Sequence, residues 1–102
     1  MDDPPLATRR VTVRQEHGLH MRPAELVART AMQYVSEVTL RCEPHRADAK
    51  SILELIGLVA ECGAELVIEA RGPDAEAAVT RLAELFENDF NDTTRPGTGG
   101  PS

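Results

Sequence analysis

Basic charge is in short supply: 11 lysines and arginines face 17 aspartates and glutamates in a chain of 102 residues, a net of −6. So acidic a balance argues against the cationic footprint of a nucleic-acid-binding protein. Long apolar runs are also missing, and none approaches the ~20 residues that cross a bilayer, so no membrane insertion is expected. The opening Met1-Asp2-Asp3-Pro4-Pro5 has no basic n-region and no apolar h-region. No secretory signal is therefore expected, and a cytoplasmic location is. Cys42 and Cys62 are the only two cysteines, with no CxxC between them; two buried thiols in a reducing compartment are expected. His17, His20 and His45 have no cysteine or carboxylate at zinc-like spacing, so neither a metal site nor a cofactor is expected. No internal repeat is evident.

What is present is an ordinary globular composition, 41% hydrophobic and 27% charged, and a length that implies one domain. The sequence divides into a flexible N-terminus over residues 1–8, a domain over 9–90 and a tail over 91–102. That tail, rich in Gly, Pro, Ser and Thr, is expected to be disordered. Within the domain, Arg10-Val11-Thr12-Val13-Arg14 has the period-two rhythm of a half-buried strand. From Met21 to about Gln33, Ala24, Val27, Ala28 and Ala31 recur at helical spacing. Glu37 to Cys42 is a second strand, Pro44 marks a turn, and a short third strand occupies His45 to Asp48. Ser51 through Val59 reads as a helix capped by the serine hydroxyl. Glu65 to Ala70 is a strand with Leu66, Ile68 and Ala70 on one face. Gly72-Pro73-Asp74 stops it and caps a last helix with Ala75, Ala78, Val79, Leu82, Leu85 and Phe86 along its apolar stripe. Alternating strands and single-stripe helices predict an α+β sandwich with its helices on one face.

Gly18-Leu19-His20-Met21-Arg22-Pro23-Ala24 carries the chemistry. Proline suits the first turn of a helix, where the amide it lacks has no intrahelical partner. The remaining free amides and the helix dipole form an anion site. Histidine is readily neutral, and so nucleophilic, near neutral pH, and arginine offers a permanently charged fork to phosphate oxygens. A nucleophile and a phosphate cradle at one point suggest that His20 takes up and passes on a phosphoryl group. A structural histidine capping its own helix is the alternative.

The segment Gly18-Leu19-His20-x-Arg22-Pro23-Ala24 resembles the active-site segment of the HPr family, the histidine-containing phosphocarriers of the bacterial phosphotransferase system. Lys50-Ser51-Ile52-Leu53-Glu54-Leu55 resembles the family's second signature, around a regulatory serine, and the similarity runs from about Val11 to Leu85. The resemblance implies an open-faced sandwich, a four-stranded antiparallel sheet covered on one face by three helices. It implies a phosphoryl group on the δ (pros) nitrogen of His20, held by Arg22 and the backbone amide of Met21. It also implies enzyme I as donor and IIA-type proteins of a sugar phosphotransferase system as acceptors. Such a carrier is a monomer used stoichiometrically, not an enzyme. Ser51 is then a candidate for regulatory phosphorylation by a serine kinase, reversed by a phosphorylase, although a plain N-cap explains it as simply.

At about 100° per residue, the apolar residues of the Ser51 helix cover an arc of roughly 220°, about twice what a surface helix needs. Either that helix is deeply buried, or Ile52, Leu53 and Ile56, with Met21, remain exposed for partner docking. Two residues depart from the family pattern, Met21 after the histidine and Glu25 one turn into the helix. Glu25 stands three residues after Arg22, a spacing at which the two can pair and hold the arginine back from phosphate. The ending Leu85-Phe86-Glu87-Asn88-Asp89-Phe90 resembles nitrogen-type paralogues, which leaves a regulatory role without sugar transport as the alternative function. A binding module with an inactive histidine is the third.

Overall fold

Period-two alternation sorts the strand residues onto two faces, and only one of them is apolar. The computed structural model describes residues 6–15, 18–58, 61, 63–88 and 90. Its strands are Leu6–Thr12 (β1), Glu37–Cys42 (β2), His45–Asp48 (β3) and Glu65–Arg71 (β4), and its helices Met21–Ala31 (α1), Ile52–Gly57 (α2) and Ala75–Glu87 (α3). The four strands form one antiparallel sheet in the order β1-β4-β2-β3. Ala7 and Val11 of β1, Val38 and Leu40 of β2, Ala47 of β3, and Leu66, Ile68 and Ala70 of β4 are buried on one face. The other face carries charge, with Arg41 and Glu69 paired across β2 and β4 at 3.1 Å.

The helices cover the apolar face. α1 buries Ala24, Val27, Ala28 and Ala31, and α3 buries Ala78, Val79, Leu82, Leu85 and Phe86. Small residues at these positions let the helix backbones lie close to the sheet. Each large side chain removed from water contributes about 1.5–3 kcal/mol. Phe86 meets Phe90 edge to face at 4.8 Å. α2 lies against α1 and β3 and buries Leu55. The expected open-faced sandwich is what the chain forms.

Four details differ from the sequence reading. The first strand runs over Leu6–Thr12 rather than Arg10 to Arg14, because it pairs residue for residue with β4, from Leu6 opposite Arg71 to Thr12 opposite Glu65. Leu6, Ala7 and Thr8, assigned to the flexible N-terminus, therefore belong to the sheet. Arg9, a charge on the inner face, hides the alternation there; it reaches Glu87 of α3 at 3.9 Å. Helix α2 ends at Gly57 with Leu58 as its cap. Cys42 is a free thiol, half-buried rather than buried. Residues 1–5, His17, Val59, Cys62 and the tail over 91–102 lie outside the described residues.

The fourth difference concerns Asp74. It stands at the N-cap of α3, yet its side chain makes no capping bond. Its carboxylate accepts hydrogen bonds from the Val35 amide at 3.0 Å, the Ser36 amide at 3.0 Å and the Ser36 hydroxyl at 2.5 Å. The Asp74 amide donates back to the Ser36 hydroxyl at 3.2 Å. This clamp joins the exit of α1 to the entry of α3. Beside it Gly72 adopts φ +148°, and a Cβ there would come within 2.8 Å of the Ser36 Cα. Glycine is the residue that meets both demands.

The Ser36 hydroxyl, aided by the Val35 and Ser36 amides, lowers the Asp74 carboxyl below the ordinary aspartate value, against the opposing effect of burial. A group held lower in the folded state stabilises above its unfolded pKa, about 4 for aspartate. That contribution disappears as pH falls through the depressed folded value. Denaturant unfolding of Asp74→Asn is therefore expected to show a deficit against the parent near about pH 7 that narrows steadily below about pH 4. A deficit unchanged across that range would mean the carboxylate charge has no part in the clamp.

Candidate functional site

The site begins at Gly18, whose φ of +74° turns the chain into α1. The Gly18 amide donates to Gln15 O at 2.9 Å and the His20 amide to Gly18 O at 3.0 Å, which makes a tight entry. Leu19 is buried on one side of His20, and Pro23 and Ala24 are buried on the other. The backbone is thus pinned at both ends while the imidazole stays exposed. His20 is the N-cap of α1, with extended backbone and no capping bond from its side chain. Its carbonyl accepts the Ala24 amide at 2.9 Å.

That register fixes the chemistry of the first turn. Met21, Arg22 and Pro23 fill the first three helical positions, and only the first two carry amide hydrogens. Neither donates a hydrogen bond among the described residues, and no acidic residue lies in this turn. The positive end of the helix dipole therefore opens beside His20 with two free donors. Arg22 is exposed and makes no ion pair among the described residues. The arrangement can hold an anion against a nucleophilic ring.

Glu25 does not hold Arg22. Its carboxylate pairs with Arg29 at 2.8 Å, one turn further on. An acid four residues before a base suits both the helix geometry and its dipole, whereas a base ahead of an acid opposes the dipole. Arg29 was the missed residue, and its place four after Glu25 was the signal.

At the start of α2, the Ser51 hydroxyl accepts the Glu54 amide at 3.2 Å, so the expected cap forms. The Glu54 carboxylate accepts the Asp48 amide at 2.8 Å, and Lys50 Nζ donates to Tyr34 O at 2.8 Å. Of the expected docking residues, Leu53 is 81% exposed and Met21 59% exposed. Ile52 and Ile56 are half-buried against the core, so the apolar arc of this helix is divided between packing and exposure. An open groove of about 430 Å³ runs between α1 and α2, lined by Glu25, Ala28, Arg29, Met32, Lys50, Ser51, Ile52 and Leu53. Met21 and Ile56 lie outside it. Met32, 61% exposed, was not anticipated. Its spacing from Met21 and Ala28 puts it on the same side of α1, a pattern that sequence alone does not distinguish from core. His45 lies on the edge strand β3, and among the described residues no three His, Cys, Asp or Glu side chains cluster as metal ligands.

A family model described as the PTS HPr component phosphorylation site matches residues 7–88. The phosphocarrier protein HPr of Treponema pallidum is 34% identical over 87 residues, covering 85% of this chain and 99% of that protein. The HPr-like protein Crh of Bacillus subtilis is 32% identical over 84 residues, covering 82% of this chain and 99% of its own. The crystal structure of an HPr from Thermoanaerobacter tengcongensis superposes with a TM-score of 0.79 at 30% identity, over 82% of this chain and 94% of that one.

A double-mutant cycle checks the pairing on α1. Coupling between Glu25 and Arg29 is expected at about 0.3–0.5 kcal/mol, the range of exposed pairs one helical turn apart. Coupling between Arg22 and Glu25 is expected to be indistinguishable from zero, and the reverse order would restore Arg22 as the partner.

Proposed function

The chain belongs to the HPr family of phosphocarrier proteins, and from that premise we propose that it carries its phosphoryl group on the δ nitrogen of His20. The donor is phosphorylated enzyme I, and the acceptors are IIA-type proteins of a sugar phosphotransferase system. The observation that carries this reading is an exposed imidazole at a helix N-terminus whose Met21 and Arg22 amides are free. A neutral ring nitrogen attacks phosphorus in line. The nitrogen–phosphorus bond forms as the donor's bond to phosphorus breaks, while the amides and Arg22 hold the charge on the equatorial oxygens. The chain returns unchanged once the group has moved on, as a carrier does. Met21 contributes its backbone amide whatever its side chain does.

A second reading, regulation by protein binding without sugar transport, is favoured by the similarity to the HPr-like protein Crh and by Ser51. A phosphate on Ser51 adds about −1.5 to −2 charges beside Ile52 and Leu53, which must shed water when a partner docks.

Incubation with phosphoenolpyruvate and the cognate enzyme I is expected to add one phosphoryl group, stable in base and labile in acid. His20→Ala is expected to abolish labelling with the fold intact; continued labelling of that variant sinks the assignment. Ser51→Asp keeps an oxygen to accept the Glu54 amide and places charge where the dipole favours it by ~0.3–1 kcal/mol. Its melting temperature is expected to stay near the parent's while transfer from enzyme I slows substantially. Transfer at the parent rate would leave Ser51 as a cap and nothing more.

A further inference from the structure

Two thioether side chains of α1 stand in water. Met21 is 59% exposed and Met32 61% exposed, and neither belongs to the core. Met21 is the first residue of the helix and Met32 its C-cap, so at 1.5 Å per residue about 16 Å of helix separates them. A thioether is the side chain, besides a thiol, that takes up an oxygen atom under mild oxidation. Met21 therefore puts an oxidisable sulfur in the open, next in sequence to His20, and phosphoryl transfer makes no use of that sulfur.

Oxidation changes what Met21 can do there. A thioether is a weak hydrogen-bond acceptor, whereas a sulfoxide is polar and its oxygen carries partial negative charge. The donors nearest to it along the chain are the amides of Met21 and Arg22, which donate no hydrogen bond among the described residues. No acidic residue stands in this turn, and the positive pole of the helix favours an electron-rich oxygen. A sulfoxide oxygen held by these amides occupies the place of a phosphoryl oxygen. Met32 has no such company: the backbone groups left over at a helix C-terminus are carbonyls, which accept and do not donate.

We propose that Met21 is a redox modification site, oxidised by peroxide to a sulfoxide whose oxygen accepts from the free first-turn amides and closes the anion cradle beside His20. The sulfur lone pair attacks one peroxide oxygen, and the sulfur–oxygen bond forms as the oxygen–oxygen bond breaks. The hydroxide that leaves takes up the remaining hydroxyl proton and departs as water. Sulfur is oxidised and the peroxide reduced. Because Met21 lies outside the core, the fold is retained. The consequence for phosphoryl transfer rests on the phosphocarrier reading; the closing of the cradle does not.

The test treats the whole chain with hydrogen peroxide and maps added oxygen by mass spectrometry of its peptides. Met21→Leu and Met32→Leu are treated alongside, each compared with itself before treatment. Met21 and Met32 are both expected to gain one oxygen atom, with the melting temperature near that of the untreated chain. By NMR, the Met21 or Arg22 amide is expected to exchange with solvent about tenfold more slowly once Met21 is oxidised, as an amide does on gaining an acceptor. Labelling by phosphoenolpyruvate and enzyme I is expected to slow about tenfold, the loss of one hydrogen bond to a charged group. In Met21→Leu the same treatment is expected to slow it less than about twofold. Methionine sulfoxide reductases for both epimers are expected to reverse both effects, and dithiothreitol alone neither. A Met21 that stays unoxidised while Met32 reacts, unslowed exchange at both amides, or an equal loss in Met21→Leu overturns the inference. So does recovery with dithiothreitol alone, which would place the effect at Cys42 or Cys62. An untreated chain that takes no label, with amide exchange still slowed by oxidation, sinks the carrier and leaves the closed cradle standing.

Discussion

One side chain stands in water while the backbone beneath it is held still, and that constraint organises this molecule. His20 meets it through its neighbours: Leu19 is driven into the core on one side, and Pro23 and Ala24 on the other. These anchors hold only because α1 lies flat against the sheet through Ala24, Val27, Ala28 and Ala31. The sheet in turn presents its apolar face to receive it. Precise placement of a side chain needs a rigid element under it, and here a helix end supplies it. Pro23 adds a second effect. By lacking an amide hydrogen it leaves two free donors, Met21 and Arg22, so the positive pole of α1 is concentrated at the residues nearest the imidazole.

Much of this was legible in the sequence, for identifiable reasons. Elements with clean periodicity, such as Glu65–Arg71 and Ala75–Glu87, declare themselves because one face of each meets only apolar neighbours. The site segment was legible because its residue types have few other uses in that order. What stayed hidden depended on partners distant in the chain. Leu6–Thr8 become strand because β4 is long enough to pair with them, a fact absent from their own pattern. Asp74 reads as a helix cap from its position, yet the Ser36 and Val35 donors win its carboxylate because they approach from another loop. Glu25 had two basic neighbours at workable spacing, and the helix dipole decided for Arg29.

Net charge is a poor guide to what a partner meets. The chain is acidic overall, but some of its ionised groups are paired locally: Arg41 with Glu43 and Glu69 across the open face of the sheet, Arg9 with Glu87 at its edge, Arg29 with Glu25. Exposed pairs of this kind add little stability each. Their larger effect is on the field outside, where a paired charge speaks weakly. At the helix end beside His20 no acidic residue stands in the first turn to oppose the positive pole.

The strand order has a consequence in time. β1 is the first strand made and β4 the last, yet β4 occupies the place between β1 and β2. A chain growing from the ribosome can close the β2–β3 hairpin early, through neighbours only a turn apart. Its first strand must wait, without its ladder partner, until residues 65–71 have emerged. The strand pairing of greatest sequence separation is thus the one that completes the sheet, and assembly of the sheet is deferred until β4 has been made. A chain that stops short of β4 holds a hairpin, two helices and an unmated strand, with nowhere for the apolar face of that strand to go.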